Sequence, residues 1–121
     1  MKAVFIETTN FTQWLGEFMS DDAYAAFQWL LMENPTCGDV MPGCGGLRKV
    51  RTVDARRGQG KRGGARVIYL HVPEVQKFFM LDIYGKDEKD DLTAPEKAAL
   101  SSLALHLKQQ VQRAIPKRRK Q

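Results

Sequence analysis

The stretch RRGQGKRGGARVIYLHV, residues 56–72, changes character in its middle. Arg56 to Gly64 is a basic loop with glycines at 58, 60, 63 and 64. Ala65 to Val72 is dense in β-branched and aromatic residues and predicts a strand buried on both faces. Arg66 stands where solvated loop becomes sheet. The next apolar run, KFFMLDIYGK at residues 77–86, predicts a second central strand. Pro73-Glu74 between them predicts a short antiparallel connection. The start of the first strand then lies beside the end of the second, so Arg66 and Lys86 share one edge of the sheet.

Working outward, Leu47–Val53 (LRKVRTV) predicts a strand carrying cations, and Ala3–Glu7 (AVFIE) a short strand near the N-terminus. Asn10 is the expected cap of a helix whose face is Trp14, Leu15, Phe18 and Met19, with Gly16 weakening it. Ser20-Asp21-Asp22 predicts a second helix start, with Tyr24, Phe27 and Leu31 on its apolar face and Asn34-Pro35 as its stop. Residues 35–46 read as loop. Thr93-Ala-Pro-Glu96 is a capping box, and Leu100, Leu103, Ala104, Leu107 and Val111 then mark a helical face up to about Ala114. The expected fold is α+β: a small, mainly antiparallel sheet flanked by an N-terminal helical hairpin and a C-terminal helix. One domain is expected over residues 1–115, with a basic tail at 116–121.

With 121 residues, 43% of them hydrophobic and 27% charged, the chain suits one compact core, and no stretch reaches the length of a membrane span. No signal peptide is evident, so a cytoplasmic location is expected. The formal charge of +5 favours a polyanionic partner, although many small domains are mildly basic without one. Arg48, Lys49, Arg51, Arg56, Arg57, Lys61, Arg62 and Arg66 concentrate that charge in one span. Cys37 and Cys44 are too few for a tetrahedral zinc site and read as reduced thiols in a loop, and no metal or cofactor is expected.

The glycines do not form a nucleotide-hydrolysing phosphate loop: a strand follows them rather than a helix, and no Ser or Thr follows Lys61. A plain flexible hairpin loop with solvated charges fits them equally well. His71 falls on the strand face of Val67 and Tyr69, opposite Arg66, and reads as structural before catalytic. Asp82, inside an apolar strand, needs a partner, expected to be a nearby cation. Asp87, Glu88, Asp90 and Asp91 alternate with Lys86 and Lys89 and read as a solvated loop rather than a metal site. Convergent Arg and Lys are suited to phosphate.

The strings PGCGGLRKVRTVDARRGQGKRGGARVIYLHV and YGKDEKDDLT, with the helical-hairpin start, resemble the RelE/HigB superfamily of bacterial type II toxins. The nearest likeness is the HigB-like branch, whose members carry K-R-G-G-x-R-V-I-Y. The resemblance implies a ribosome-dependent mRNA endonuclease that cuts A-site mRNA by attack of the RNA's 2′-hydroxyl on the adjacent phosphate. It implies as partners the 70S ribosome with its mRNA, and a cognate antitoxin of helix-turn-helix DNA-binding type. On this mapping Arg66 holds the scissile phosphate, Lys86 is the cation after the strand-ending glycine, and Lys61 is a further catalytic cation. Arg48, Lys49, Arg51, Arg56, Arg57 and Arg62 are the expected RNA-binding residues. The chain departs from RelE itself in having Asp87 where that toxin has an arginine, and no tyrosine from Asp87 onward. The general base is then Lys61 or Lys86, with Tyr84 or His71 as fallback groups, and Arg66 is confined to charge stabilisation. Two other functions fit the same residues. A ParE-like inhibitor of DNA gyrase would share the fold without needing the cation set, and a non-enzymatic RNA-binding module would need only the basic loop.

Overall fold

The computed structural model describes residues 2–52, 64–86, 88–89 and 91–115. Its elements are β1 (Val4–Glu7), α1 (Thr9–Leu15), α2 (Asp21–Glu33), β2 (Asp39–Val40), β3 (Arg48–Thr52), β4 (Ala65–Val72), β5 (Lys77–Gly85) and α3 (Ala94–Ala114). The fold is α+β. The five strands form one sheet in the order β1-β5-β4-β3-β2. All neighbours are antiparallel except β1, which runs parallel to β5. The two most apolar strands thus take inner places, as strands buried on both faces must.

Two capping expectations hold. Ser20 accepts the Ala23 amide at the start of α2. Thr93 and Glu96 close a reciprocal capping box at the start of α3. The first helix differs from expectation. Its cap is Thr8, whose Oγ1 accepts from Phe11 N at 3.0 Å, and Asn10 lies inside the helix. α1 stops at Leu15 against Gly16, so Phe18 and Met19 are buried from the turn that follows, while Trp14 remains exposed. Within the expected loop at 35–46, Asp39 and Val40 pair with Lys49 and Arg48 as the short edge strand β2.

Each face of the sheet carries its own core. Val67, Tyr69, Phe78, Met80 and Ile83 pack against Phe11, Phe27 and Leu31 of the N-terminal helices. Ile68, Leu70, Phe79, Leu81 and Tyr84 pack with Ala104 and Val111 of α3. The pairing of β4 with β5 slips between Ile68 and Tyr69: Ile68 opposes Asp82 and Tyr69 opposes Met80. Leu81 is the extra residue of a β-bulge, which reverses the in-out phase of the rest of β5. Tyr84 therefore falls on the α3 face, directly opposite Arg66.

Asp82, next to the bulge, is held by Asn10 Nδ2 at 2.8 Å and by the Ile83 amide at 2.9 Å. Among the described residues an amide from α1 stands in place of the expected cation, and Lys89 lies near enough to favour the charged carboxylate. Burial is the larger influence and raises the carboxyl's pKa. Tyr69, at the heart of the first core, uses its hydroxyl to fix residues 35–38. It donates to Pro35 O at 2.7 Å and accepts from Gly38 N at 3.1 Å. A Cβ on Gly38 would stand 2.8 Å from Tyr69 Cε1, so only glycine fits there without displacement.

Candidate active site

β2 covers only Arg48 and Lys49 of β3. Beyond them the outer edge of β3 borders a cleft of about 710 Å³, whose walls include Lys49, Arg51, Arg66, Lys86, Leu30 and Asp39. Among the described residues, four cations there face one carboxylate. The sheet sets their spacing: Arg51 opposes Arg66 across β3 and β4, and Arg66 opposes Tyr84 across β4 and β5. Directly opposed residues share a face, so Arg51, Arg66 and Tyr84 stand in a row on the α3 side.

Arg66 is only 4% exposed. Its Nη1 donates to Gly64 O at 3.2 Å, and the same carbonyl accepts the Lys86 amide at 3.1 Å. One backbone oxygen thereby ties the arginine at the start of β4 to the lysine just past β5. The expected meeting of Arg66 and Lys86 at one sheet edge is what the chain adopts. A guanidinium stays charged when buried, so this site fixes a cation within the rigid part of the sheet.

Lys49 meets Asp91 at 3.3 Å, and Asp91 uses its other oxygen for Lys97 at 3.1 Å. The hydrogen bond from Lys97, followed by that from the Leu92 amide, holds the Asp91 carboxyl down at about 2. Lys89 pairs with Glu96 at 2.7 Å, which lowers the Glu96 pKa and couples the segment after Lys86 to the start of α3. Lys89 Nζ also lies 5.1 Å from the centre of the Tyr84 ring. The Tyr84 hydroxyl is buried and has no hydrogen-bond partner among the described residues. Burial, reinforced by Asp91, pushes its phenol up to about 12, so it is protonated at neutral pH.

Of the expected site residues, Arg66, Lys86, Lys49 and Arg51 come together at the cleft. Arg48 does not: its Nη1 donates to Gly38 O at 2.7 Å and Thr36 O at 3.3 Å, which commits it to holding the segment before β2. Lys61, Arg56, Arg57 and Arg62 lie outside the described residues, as do Asp87, Asp90 and the tail from residue 116. His71 sits on the opposite face, near the far end of β4, stacked on Phe78 with centroids 4.5 Å apart. Burial lowers its pKa. Of the two fallback groups, geometry leaves Tyr84 beside Arg66 and takes His71 away. Cys37 and Cys44 are both free thiols, and Cys37 also borders the cleft. Sequence reading missed Asp91 as the partner of Lys49, a contact that only the folded chain creates.

These features define a small α+β domain with a cation-lined cleft at one end of its sheet. A family model described as the RelE toxin of the RelE / RelB toxin-antitoxin system matches residues 40–120. The chain belongs to this RelE toxin family, and the matched segment contains every cleft cation named above. It is accordingly a toxin of the toxin–antitoxin class, a class defined by pairing with an antitoxin. No helix among the described residues is long and apolar enough to cross a membrane.

Proposed function

We propose that the protein is a ribosome-dependent mRNA endonuclease of the cytoplasm that cleaves A-site mRNA and so stops translation. The observation that carries this reading is Arg66: a buried guanidinium, fixed by sheet pairing, flanked by Arg51 and tied through Gly64 to Lys86. Such an arrangement suits a phosphate that gains charge in the transition state, because the donors are in place before reaction and need no reorganisation.

In the proposed reaction the 2′-hydroxyl of the RNA attacks the adjacent phosphorus. The bond to the 5′-oxygen of the next nucleotide breaks and that oxygen takes a proton from water, leaving a 2′,3′-cyclic phosphate and a 5′-hydroxyl. Arg66 and Arg51 neutralise the equatorial oxygens of the phosphorane. Lys86, exposed at the mouth of the cleft, or Lys61 takes the proton from the 2′-hydroxyl. Lys49 extends the track for a neighbouring phosphate, and Arg56, Arg57 and Arg62 belong to the RNA-binding surface. Arg48 has a structural role in this reading. The K-R-G-G-x-R-V-I-Y segment favours the HigB-like branch, and a helix-turn-helix antitoxin is the proposed partner.

A ParE-like gyrase inhibitor would need no such cation row, which favours RNA cleavage over that alternative. Mapping of mRNA 5′ ends after induction in cells tests the choice. New ends in register with codons, absent when initiation is blocked, are expected. Intact mRNA accompanied by gyrase-dependent DNA damage would overturn the proposal.

A further inference from the structure

We propose that Asp91 is a built-in competitor for RNA: its carboxylate occupies the Lys49 ammonium where an RNA phosphate would bind, and the nucleic acid must displace it. The inference rests on the RNA-binding reading of the cleft and adds a control on its affinity. Lys49 is shared by two adjoining spaces. One is the cleft of Arg51, Arg66 and Lys86. The other is a smaller hollow of about 240 Å³ that also contains Asp91 and Lys97.

The contact has the properties of a displaceable one. It is a single 3.3 Å approach between partly exposed side chains, with 30% of Lys49 and 47% of Asp91 exposed, so water screens it. Asp91 does not depend on Lys49. The Leu92 amide donates to its Oδ1 at 2.7 Å, and Lys97 lies 3.1 Å from its Oδ2. When Lys49 turns away, the carboxylate keeps both partners and no charge is left stranded. A phosphate offers Lys49 a charge-assisted bond in the company of Arg51 and Arg66, which Asp91 cannot match. With its pKa held near 2, Asp91 is ionised throughout the neutral range, so the competition is constant rather than switched by pH.

The test is Asp91→Asn, which removes the charge but keeps an oxygen for the Leu92 amide. Asp91→Ser serves as a second variant with a shorter acceptor. Thermal melts establish that each is folded. The probe is a fluorescent 2′-O-methyl hexaribonucleotide, which cannot supply the attacking hydroxyl, and anisotropy is read across a salt series. Both variants are expected to bind roughly two- to fivefold tighter at low salt. The gain should shrink as salt rises, because salt screens the Lys49–Asp91 pair that the variants lack. The effect should vanish when Lys49→Gln is also present, which a merely structural role for Asp91 would not produce. Unchanged or weaker binding by a folded Asp91→Asn protein overturns the inference while leaving the nuclease reading intact. Failure of the wild type and variants alike to bind at the lowest salt overturns the RNA reading on which it rests.

Discussion

Replacing Arg66 by alanine separates chemistry from folding. Arg66 is 4% exposed, its guanidinium bonds to Gly64 O at 3.2 Å, and it is directly opposed by a second arginine, Arg51. Truncation loses the packing of the aliphatic stem and a backbone hydrogen bond but relieves a like-charge pair. These changes partly offset each other, and the further interactions of this buried side chain are lost with them, so a stability loss of about 1–2 kcal/mol is expected. The expected kinetic effect is much larger. Removal of a pre-positioned donor from a charge-developing transition state costs about 2.7–4 kcal/mol, or roughly 10²–10³ in rate. The assay is single-turnover cleavage of mRNA in programmed ribosomes, with urea denaturation of the same samples. Arg66→Lys adds a control: it keeps the charge but not the planar fork, and should recover only part of the rate. An Arg66→Ala protein that cleaves within tenfold of wild type would refute the assignment, as would a rate loss fully matched by unfolding.

The remaining predictions concern the frame of the site. Tyr84→Phe removes a buried hydroxyl with no partner among the described residues, so stability in urea should be unchanged or higher by about 1 kcal/mol; a clear loss would show that the hydroxyl is bonded. Gly38→Ala forces a Cβ to 2.8 Å from the Tyr69 ring and should cost about 1–3 kcal/mol, read by denaturant midpoint. The Asp91 pKa is depressed from 3.8 to about 2, so its stabilising contribution is present above pH 3.8 and lost as pH falls towards 2. Acid unfolding of wild type should therefore be steeper in that window than that of Asp91→Asn, and identical acid profiles would contradict the assignment.

Features written in short range were legible in the sequence. Ser20 and the Thr93–Glu96 pair lie within one turn of the amides they cap, so local residue order decides them. The inner places of β4 and β5 follow from their apolar density, and the Pro73-Glu74 connection set Arg66 beside the end of β5. What escaped depends on contacts distant along the chain. β2 is only two residues long and exists because β3 pairs with it, while Arg48 and Tyr69 pin the segment before it. Asp91 reaches Lys49 across 42 residues, and Asp82 reaches Asn10 across 72. Thr8 displaced Asn10 as the first cap, and Thr8 also donates to Leu81 O at 2.8 Å, a tertiary bond no local pattern contains.

The extra residue at Leu81 has a consequence for how this fold tolerates change. Along β5 the residues before it and after it obey alternation rules of opposite parity, joined at one point. Deleting Leu81 would close the bulge: Asp82 would follow Met80 opposite Ile68, the alternation would become regular, and Tyr84 would stay opposite Arg66. The loss would fall on the α3 core, which would give up one buried leucine. The bulge is thus one residue of slack in the length of β5, placed where the row at the cleft does not depend on it.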